Sequence, residues 1–200
     1  MKKLTMNKLT KLTLEEGCEE YLRYCKARNL RDGTIKHYKE SFKSIYRFIE
    51  PNTSISSLNK HTLDKFVIDV KRDLDIKDTT LFTYTRDLKT LMKYFMKQEY
   101  IPYFEIKLIS ASKEPIECYT DNELKLLLKK PNIKSCSFTE YKSWVIINFL
   151  LSTGIRMNSL INIRIKDIDF DNEVAYIRTT KNRKSLIIPL NQTIIGILKT

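Results

Sequence analysis

The chain has 200 residues, of which 42% are hydrophobic and 30% charged, a composition typical of a globular protein with one or two small domains. It carries 36 Lys and Arg against 24 Asp and Glu, and the excess is present in both halves, with 22 against 15 in residues 1–110 and 14 against 9 in residues 111–200. This distribution favours a polyanionic partner, most simply nucleic acid, although a generally lysine-rich composition would give the same numbers.

Other classes of protein are disfavoured by what is sparse in the sequence. The four cysteines form no Cys-x-x-Cys pair and there are only two histidines, which argues against a zinc site and a disulfide framework. Cys18 and Cys25 lie seven residues apart and are expected to be buried thiols. The Lys-rich start is followed by no apolar signal segment, and no run approaches the roughly 18 apolar residues of a membrane span. We expect a soluble, cytoplasmic protein with no membrane contact, no metal and no other cofactor.

Four amphipathic helices are predicted in the first half of the chain. The first begins at Thr13, because Thr13 and Glu16 have the spacing of a capping box. Apolar residues at helical spacing indicate the others. The expected ranges are 13–27, 34–49, 62–74 and from 79 or 80 to about 98. Pro102 and Pro115 interrupt the periodicity that follows, so we predict a helical domain over residues 12–103 and a linker over residues 104–118.

The second half combines helices with a β-hairpin. Capping boxes at Thr120–Glu123 and Ser137–Glu140 predict two helices, to Lys130 and through Leu151. The latter is apolar nearly all round, which is typical of a central buried helix, and Gly154 is its expected C-cap. The remaining predicted elements are a short helix over 158–163, strands over 174–179 and 186–190, and a last helix from 191 or 193.

This arrangement would deliver one arginine and one lysine to the same region. Arg156 follows the Ser-Thr-Gly end of the apolar helix, and Lys181 lies in the basic turn between the two strands. The pair is a plausible grip for a phosphate group. The alternatives are an arginine that interacts with the carbonyl end of the helix dipole, and one solvated lysine among several in the turn.

At this point the sequence resembles the tyrosine recombinase (phage integrase) family over nearly its whole length. The matching segments are Ser-Thr-Gly-Ile-Arg at 152–156, Lys-Asp-Ile-Asp at 166–169 and the hairpin from Thr180 to Leu190. The resemblance implies a mainly α fold. A four-helix, SAM-like core-binding domain forms half of a DNA clamp and is followed by a linker. Residues 119–200 would then be the N-terminal part of an α+β catalytic domain with a small antiparallel hairpin or sheet.

The resemblance also implies catalytic roles for two residues. Arg156 would hold the scissile phosphate, since a planar guanidinium can bind two of the non-bridging oxygens on which charge develops. Lys181 would be the general acid that protonates the departing 5′-oxygen, since an electropositive pocket lowers the pKa of a lysine.

Several departures from the family limit the expected activity. Ser159 stands where the family usually has an acidic residue, and no histidine follows His61, so the His-x-x-Arg motif is missing. Tyr119, Tyr141 and Tyr176 do not match the place of the nucleophilic tyrosine. We therefore expect that this chain alone does not cleave DNA. It is either a fragment of a longer recombinase or a truncated relative, and its end within a predicted helix favours a fragment.

The predicted clamp suggests which residues contact double-stranded DNA. The polar faces of the second and fourth helices should meet phosphates, and Thr34 would offer a free backbone N–H at a helix N-terminus. The expected contacts are Thr34, Lys36, Lys39 and Lys43 on the second helix, Thr79, Thr80, Thr83, Arg86 and Lys93 on the fourth, and Arg183 and Lys184 in the hairpin. Such contacts position a protein on DNA and carry little base information. The plain alternative is a solvated outer helix face.

Three functions remain open on the sequence alone. The first is part of a DNA strand-exchange enzyme that acts with further recombinase subunits on DNA, the free chain being a monomer. The second is a non-catalytic DNA-binding protein derived from a truncated recombinase. The third is a helical protein-binding module. A reading frame that continues into His-x-x-Arg and a late tyrosine would favour the first, and failure to shift duplex DNA at low salt would favour the third.

Overall fold

The computed structural model describes residues 12–112, 115–178, 180 and 184–199. The chain divides into two compact units, residues 1–115 and 116–200, and the division falls inside the predicted linker. The described part of the first unit is helical, whereas the second combines helices with a three-stranded antiparallel sheet. The predicted mainly α fold with a small antiparallel sheet is thus confirmed. Of the helices in the described ranges, none combines the length and apolar character needed to cross a lipid bilayer.

The first unit contains the four predicted helices around one core. They are α1 (Leu14–Ala27), α2 (Asp32–Tyr46), α3 (Lys60–Asp73) and α4 (Asp78–Lys97). Each contributes fully buried side chains, among them Leu14, Ile45, Phe66 and Phe95. Ile106, which lies in the segment predicted as a linker, is also buried in this core.

The two cysteines of α1 are buried, as predicted. Cys18 and Cys25 are each 1% exposed and lie in the core of the first unit. Burial raises the pKa of the Cys18 thiol to about 12, which keeps this thiol neutral at physiological pH.

The helix starts show which capping predictions were correct. Thr13 caps α1 as expected, with its hydroxyl accepting from the Glu16 N–H and the Glu16 carboxylate accepting from the Thr13 N–H. The predicted starts of the other three helices are wrong by one or two residues. α2 and α4 begin at Asp32 and Asp78, because a carboxylate in the first turn interacts favourably with the positive end of the helix dipole.

The start of α3 is set by a capping box that the sequence reading missed. Asn59 is the N-cap, and its side chain accepts a hydrogen bond from the His61 N–H. Thr62, the predicted start, lies three residues further on, where its hydroxyl accepts from the Asn59 N–H.

The second unit contains the predicted elements and one more strand. Its helices are α5 (Asp121–Leu127), α6 (Phe138–Thr153), α7 (Met157–Leu160) and α8 (Gln192–Leu198), and its strands are β1 (Ile168–Asp169), β2 (Val174–Ile177) and β3 (Leu186–Pro189). The sheet order is β1-β2-β3, with Ala175 facing Ile168 on one side and Ile188 on the other. β1 was not predicted, because two residues are too few to show an alternating pattern.

The prediction that α6 is buried on all sides is wrong for the described structure. Trp144 and Phe149 are buried, but Phe138 is 80% exposed and Leu151 is 52% exposed. α8 and the sheet cover only the side of α6 that carries Phe149.

Gly17 marks the closest approach inside the first unit. A Cβ atom at this position would lie 2.4 Å from Ile55 Cδ1 and 2.8 Å from Phe95 Cε1, and both neighbours are fully buried. We expect Gly17→Ala to lower the free energy of unfolding of this unit by about 1–3 kcal/mol, as extra atoms do in a packed core. Urea denaturation followed by circular dichroism measures this effect.

Gly33→Ala is the matched control for this prediction. Nothing lies within 4 Å of the Cβ position at Gly33 in α2, so alanine should leave stability unchanged or raise it by up to about 1 kcal/mol. Equal effects of the two substitutions would contradict the close-packing argument.

Candidate phosphate site and nucleic-acid interface

The end of α6 places Arg156 by a sharp turn of the backbone. Gly154 adopts a left-handed conformation with φ 63°, and its N–H donates to the Leu150 carbonyl at 2.8 Å, as expected of a glycine C-cap. Arg156 is then the N-cap of α7, in an extended conformation, and its carbonyl accepts from the N–H groups of Ser159 and Leu160. The chain therefore reverses between two helices at this arginine.

The residues around Arg156 anchor it to the sheet. Ile155 and Leu160 pack against the core cluster that contains Phe149 of α6 and Ala175 and Ile177 of β2. Arg156 itself is exposed, and the described part of the chain offers its guanidinium no hydrogen-bond or ion-pair partner. An arginine held by its backbone and free at its tip is suited to bind an anion.

The β2–β3 hairpin carries the basic turn in the same unit. Ile177 pairs with Leu186, so the connection runs over residues 178–185. The buried Thr180 hydroxyl donates to the Lys184 carbonyl and closes this connection. Lys184 is exposed. Lys181 and Arg183 lie outside the described residues, so their proposed roles stay predictions.

A buried carboxylate contacts the first residue of this connection. Asp167 is 3% exposed, and its carboxylate accepts from Arg178 Nε at 2.6 Å and from the Arg164 N–H at 3.1 Å. These two hydrogen bonds hold the pKa of the Asp167 carboxyl below its usual range. Burial acts in the opposite direction and is the weaker effect. The pair links the start of β1 to the end of β2.

The remaining sequence-selected residues of this unit do not complete a catalytic set. Ser159 is buried one turn after Arg156, at the position where an acidic residue was expected from the resemblance. Tyr119 is 69% exposed, and Tyr176 lies on β2 as predicted. The Tyr141 hydroxyl is buried and has no hydrogen-bond partner among the described residues.

The basic residues predicted on α2 and α4 are exposed. Lys36 and Lys43 lie seven residues apart on one face of α2, and Arg86 and Lys93 have the same spacing on α4. Lys39 is also exposed, but helical spacing places it on a different side of α2 from His37. The Lys43 ammonium is 3.0 Å from Glu40 Oε1, so its charge is partly offset.

The threonines predicted to contact DNA on these helices take part in hydrogen bonds with backbone carbonyl groups. The expectation of a free N–H at Thr34 is wrong, because the Thr34 N–H donates to the Arg31 carbonyl at 2.9 Å. The Thr80 N–H likewise donates to the Lys77 carbonyl. The Thr83 hydroxyl donates to the carbonyl of Thr79 one turn earlier. Thr79 is exposed and the others are half-buried, so any contact with an anion would have to use side-chain hydroxyls.

A polar seam between α2 and α4 was missed by the sequence reading. It consists of His37 on α2 and Asp87 on α4, and we call it the α2–α4 seam. Asp87 is 2% exposed, and its Oδ2 lies 2.8 Å from His37 Nε2. The available signal was the acidic residue on the apolar side of a predicted helix, where a charge needs a partner.

The comparisons with known proteins concern both units. Residues 117–200 match the sequence profile of the phage integrase family. The chain is similar to the tyrosine recombinase XerD of Staphylococcus saprophyticus, at 23% identity over 189 residues that cover 91% of this chain and 62% of that protein. It is also similar to the tyrosine recombinase XerA of Saccharolobus solfataricus, at 25% identity over 162 residues, with 78% of this chain and 53% of that protein covered.

Solved structures show the same fold. The lambda integrase, in a tetramer bound to a Holliday junction, matches with a TM-score of 0.72 and 16% identity over 100% of this chain and 59% of the integrase chain. The chain thus spans between about half and two thirds of the length of the curated relatives named above, with 53% and 62% covered.

The Asp167–Arg178 pair predicts a pH-dependent stability. Because the pKa of Asp167 is lowered on folding, its ionised form stabilises the fold above the ordinary carboxyl pKa of about 3.9, and this contribution is lost as pH falls through the folded pKa. Asp167→Asn should therefore melt at a lower temperature than the unsubstituted chain at neutral pH, and the difference should shrink in acid. Thermal unfolding at a series of pH values checks this.

Asp171→Asn provides the control, since it removes an exposed carboxylate close to Asp167 in the chain. Its melting temperature should follow that of the unsubstituted chain at every pH. A constant difference for Asp167→Asn across the pH range would contradict the assigned role of the ion pair.

Proposed function

Because residues 117–200 belong to the phage integrase family and the whole chain is similar to tyrosine recombinases, we propose that it is the DNA-clamping and partial catalytic portion of a site-specific recombinase, an integrase. The observation that carries this proposal is the placement of Arg156. Its backbone lies between α6 and α7, and its neighbours pack against β2, the first strand of the hairpin. Its side chain is exposed and has no partner among the described residues.

The reaction requires the side chains of Arg156 and Lys181 and a nucleophilic tyrosine, which this chain does not supply. A tyrosine oxygen, whose proton passes to a base or to solvent, forms a bond to the scissile phosphorus while negative charge grows on the non-bridging oxygens. The bond from phosphorus to the 5′-oxygen then breaks, and that oxygen takes up a proton. Arg156 binds the non-bridging oxygens through its guanidinium. Lys181 donates the proton. None of Tyr119, Tyr141 and Tyr176 matches the place of the nucleophilic tyrosine, so another polypeptide segment would have to supply it.

The first unit supplies the non-specific part of DNA binding. Its exposed lysines and arginines on α2 and α4 neutralise phosphates and release counterions, which gives affinity without base recognition. The DNA-bound lambda integrase tetramer supports two partners for this chain, namely duplex DNA and further recombinase subunits assembled on it. Arg183 and Lys184 would add contacts from the hairpin.

A non-catalytic DNA-binding protein is the second candidate. The buried Ser159 favours it, because this position lacks the acidic side chain that supports the catalytic pocket in the family. Such a protein would bind recombination sites through the same clamp and exclude an active recombinase from them.

Binding to duplex DNA should depend steeply on salt. The logarithm of the association constant falls linearly with the logarithm of salt concentration, with a slope of about −0.9 for each phosphate neutralised. Substituting Lys36 and Lys93 together by Gln should make this slope about 1.8 units less steep in a fluorescence anisotropy titration.

Lys65 and Lys71 provide a charge-matched control, since both are exposed on α3. Their double substitution by Gln should leave the slope unchanged. A salt-independent affinity of the unsubstituted chain, or no binding to duplex DNA at low salt, would refute DNA binding by the clamp.

Incubation with a nicked suicide substrate should give no covalent protein–DNA adduct. The chain binds the DNA but has no tyrosine in the place of the family nucleophile, so denaturing gel electrophoresis should show only free DNA. An adduct would overturn this expectation, and substitution of Tyr119, Tyr141 and Tyr176 in turn by Phe would then identify the attacking residue.

A further inference from the structure

The α2–α4 seam contains a buried carboxylate whose partners reach the surface. Asp87 Oδ2 is 2.8 Å from His37 Nε2, and Asp87 Oδ1 is 3.5 Å from a terminal nitrogen of Arg86. The Asp87 side chain is 3% exposed, whereas those of His37 and Arg86 are 43% and 50% exposed. The buried Asp87 carboxylate thus contacts the side chains of His37 and Arg86, both of which remain accessible to a ligand.

The position of the seam matters more than the pair itself. His37 lies one residue after Lys36, and Asp87 directly follows Arg86, so the seam runs between the basic faces of α2 and α4. These are the two faces proposed above to meet DNA phosphates. An anion bound beside Arg86 would lie close to His37, because both side chains contact Asp87.

The seam is also polar where a helix contact is ordinarily apolar. Ser41, one turn after His37, is 5% exposed, and its hydroxyl has no hydrogen-bond partner among the described residues. Asp87 Oδ2 likewise accepts no hydrogen bond of good geometry there and depends on the proximity of His37. A buried carboxylate without a well-aligned hydrogen bond costs stability, so its presence at this helix contact calls for an explanation.

We propose that His37 is a DNA-backbone contact, whose imidazolium binds a phosphate beside Arg86, and that Asp87 is the positioning residue that orients both bases. This inference rests on the proposed function, since it assigns a further residue to the same DNA interface. Neutral His37 leaves Arg86 and Asp87 to cancel each other. Protonated His37 gives the seam one net positive charge.

The charged and aromatic groups near His37 come from three helices. From α4 it faces Asp87 and, through Asp87, Arg86. On α2 itself Glu40 lies one turn away and is paired with Lys43, and the Tyr38 ring lies 5.7 Å from the imidazole. From α1 the Tyr21 ring contacts Tyr38 and carries no charge at neutral pH, because burial raises its pKa.

The test compares salt slopes at two pH values in the full chain with a short duplex of arbitrary sequence. Histidine changes its charge between about pH 6 and about pH 8. At the lower pH the slope should be steeper by up to about 0.9, which is the contribution of one phosphate contact. His37→Gln should abolish this pH difference. His61→Gln, which changes the other histidine of the chain, should retain it.

A second substitution keeps the test decisive if His37→Gln weakens the fold. His37→Arg carries a permanent charge, so its slope at about pH 8 should equal that of the unsubstituted chain at about pH 6. Asp87→Asn should make the slope at about pH 6 less steep, because it removes the group that positions His37 and Arg86. Thermal unfolding of each variant verifies that the first unit remains folded.

The possible results of these titrations distinguish failure of the His37 proposal from failure of the proposed function. A pH difference that survives in His37→Gln, or a slope of His37→Arg that stays at the neutral-histidine value, would overturn the proposal and leave the His37–Asp87 pair as a structural link between α2 and α4. A steep slope with no pH difference would also overturn it while the proposed DNA binding stands. Absence of duplex binding at both pH values would refute the proposed function itself.

Discussion

The packing of the α6–α7 turn against β2 is the contact on which the geometry of the second unit depends. Ile155 and Leu160 lie on either side of Arg156, and both pack on the core formed by Phe149, Ala175 and Ile177. This places an exposed arginine beside β2, and its side chain has no hydrogen bond or ion pair within the described ranges. β2 ends at Ile177, so the basic connection to β3 begins at residue 178.

Buried acids that hold exposed bases recur in both units. Asp87 and Asp167 are the charged residues that the described structure buries, and each lies beside an arginine that stays largely exposed, Arg86 and Arg178. A surface that binds a polyanion gathers like charges, which repel one another in the free protein. A buried carboxylate reduces this repulsion and restricts the side chains that it contacts.

The basic residues lie on different kinds of element in the two units. In the first unit the bases lie on the outer faces of long helices, where they are suited to follow a phosphate backbone. In the second they occupy a helix end and the β2–β3 connection. The general excess of lysine and arginine is therefore less informative than its placement on α2, α4 and the β2–β3 connection.

The elements of this fold were largely readable from local patterns, because caps and apolar periodicity act within a few residues. The capping boxes at Thr13, Thr120 and Ser137 and the left-handed Gly154 are of this kind, and all are present. The starts of α2 and α4 could not be read from local patterns in this way. An aspartate and the threonine that follows it are both plausible residues for the start of each helix.

By itself, the sequence determined the four-helix unit, the helix end before Arg156 and the hairpin after it, along with the resemblance that names the reaction. Tertiary structure decided which acids are buried and which bases they hold. His37 and Asp87 are fifty residues apart in the chain, and no local pattern states that α2 and α4 meet there. The role of Arg156 shows the same division, because its motif is local but its exposure depends on how Ile155 and Leu160 pack against β2.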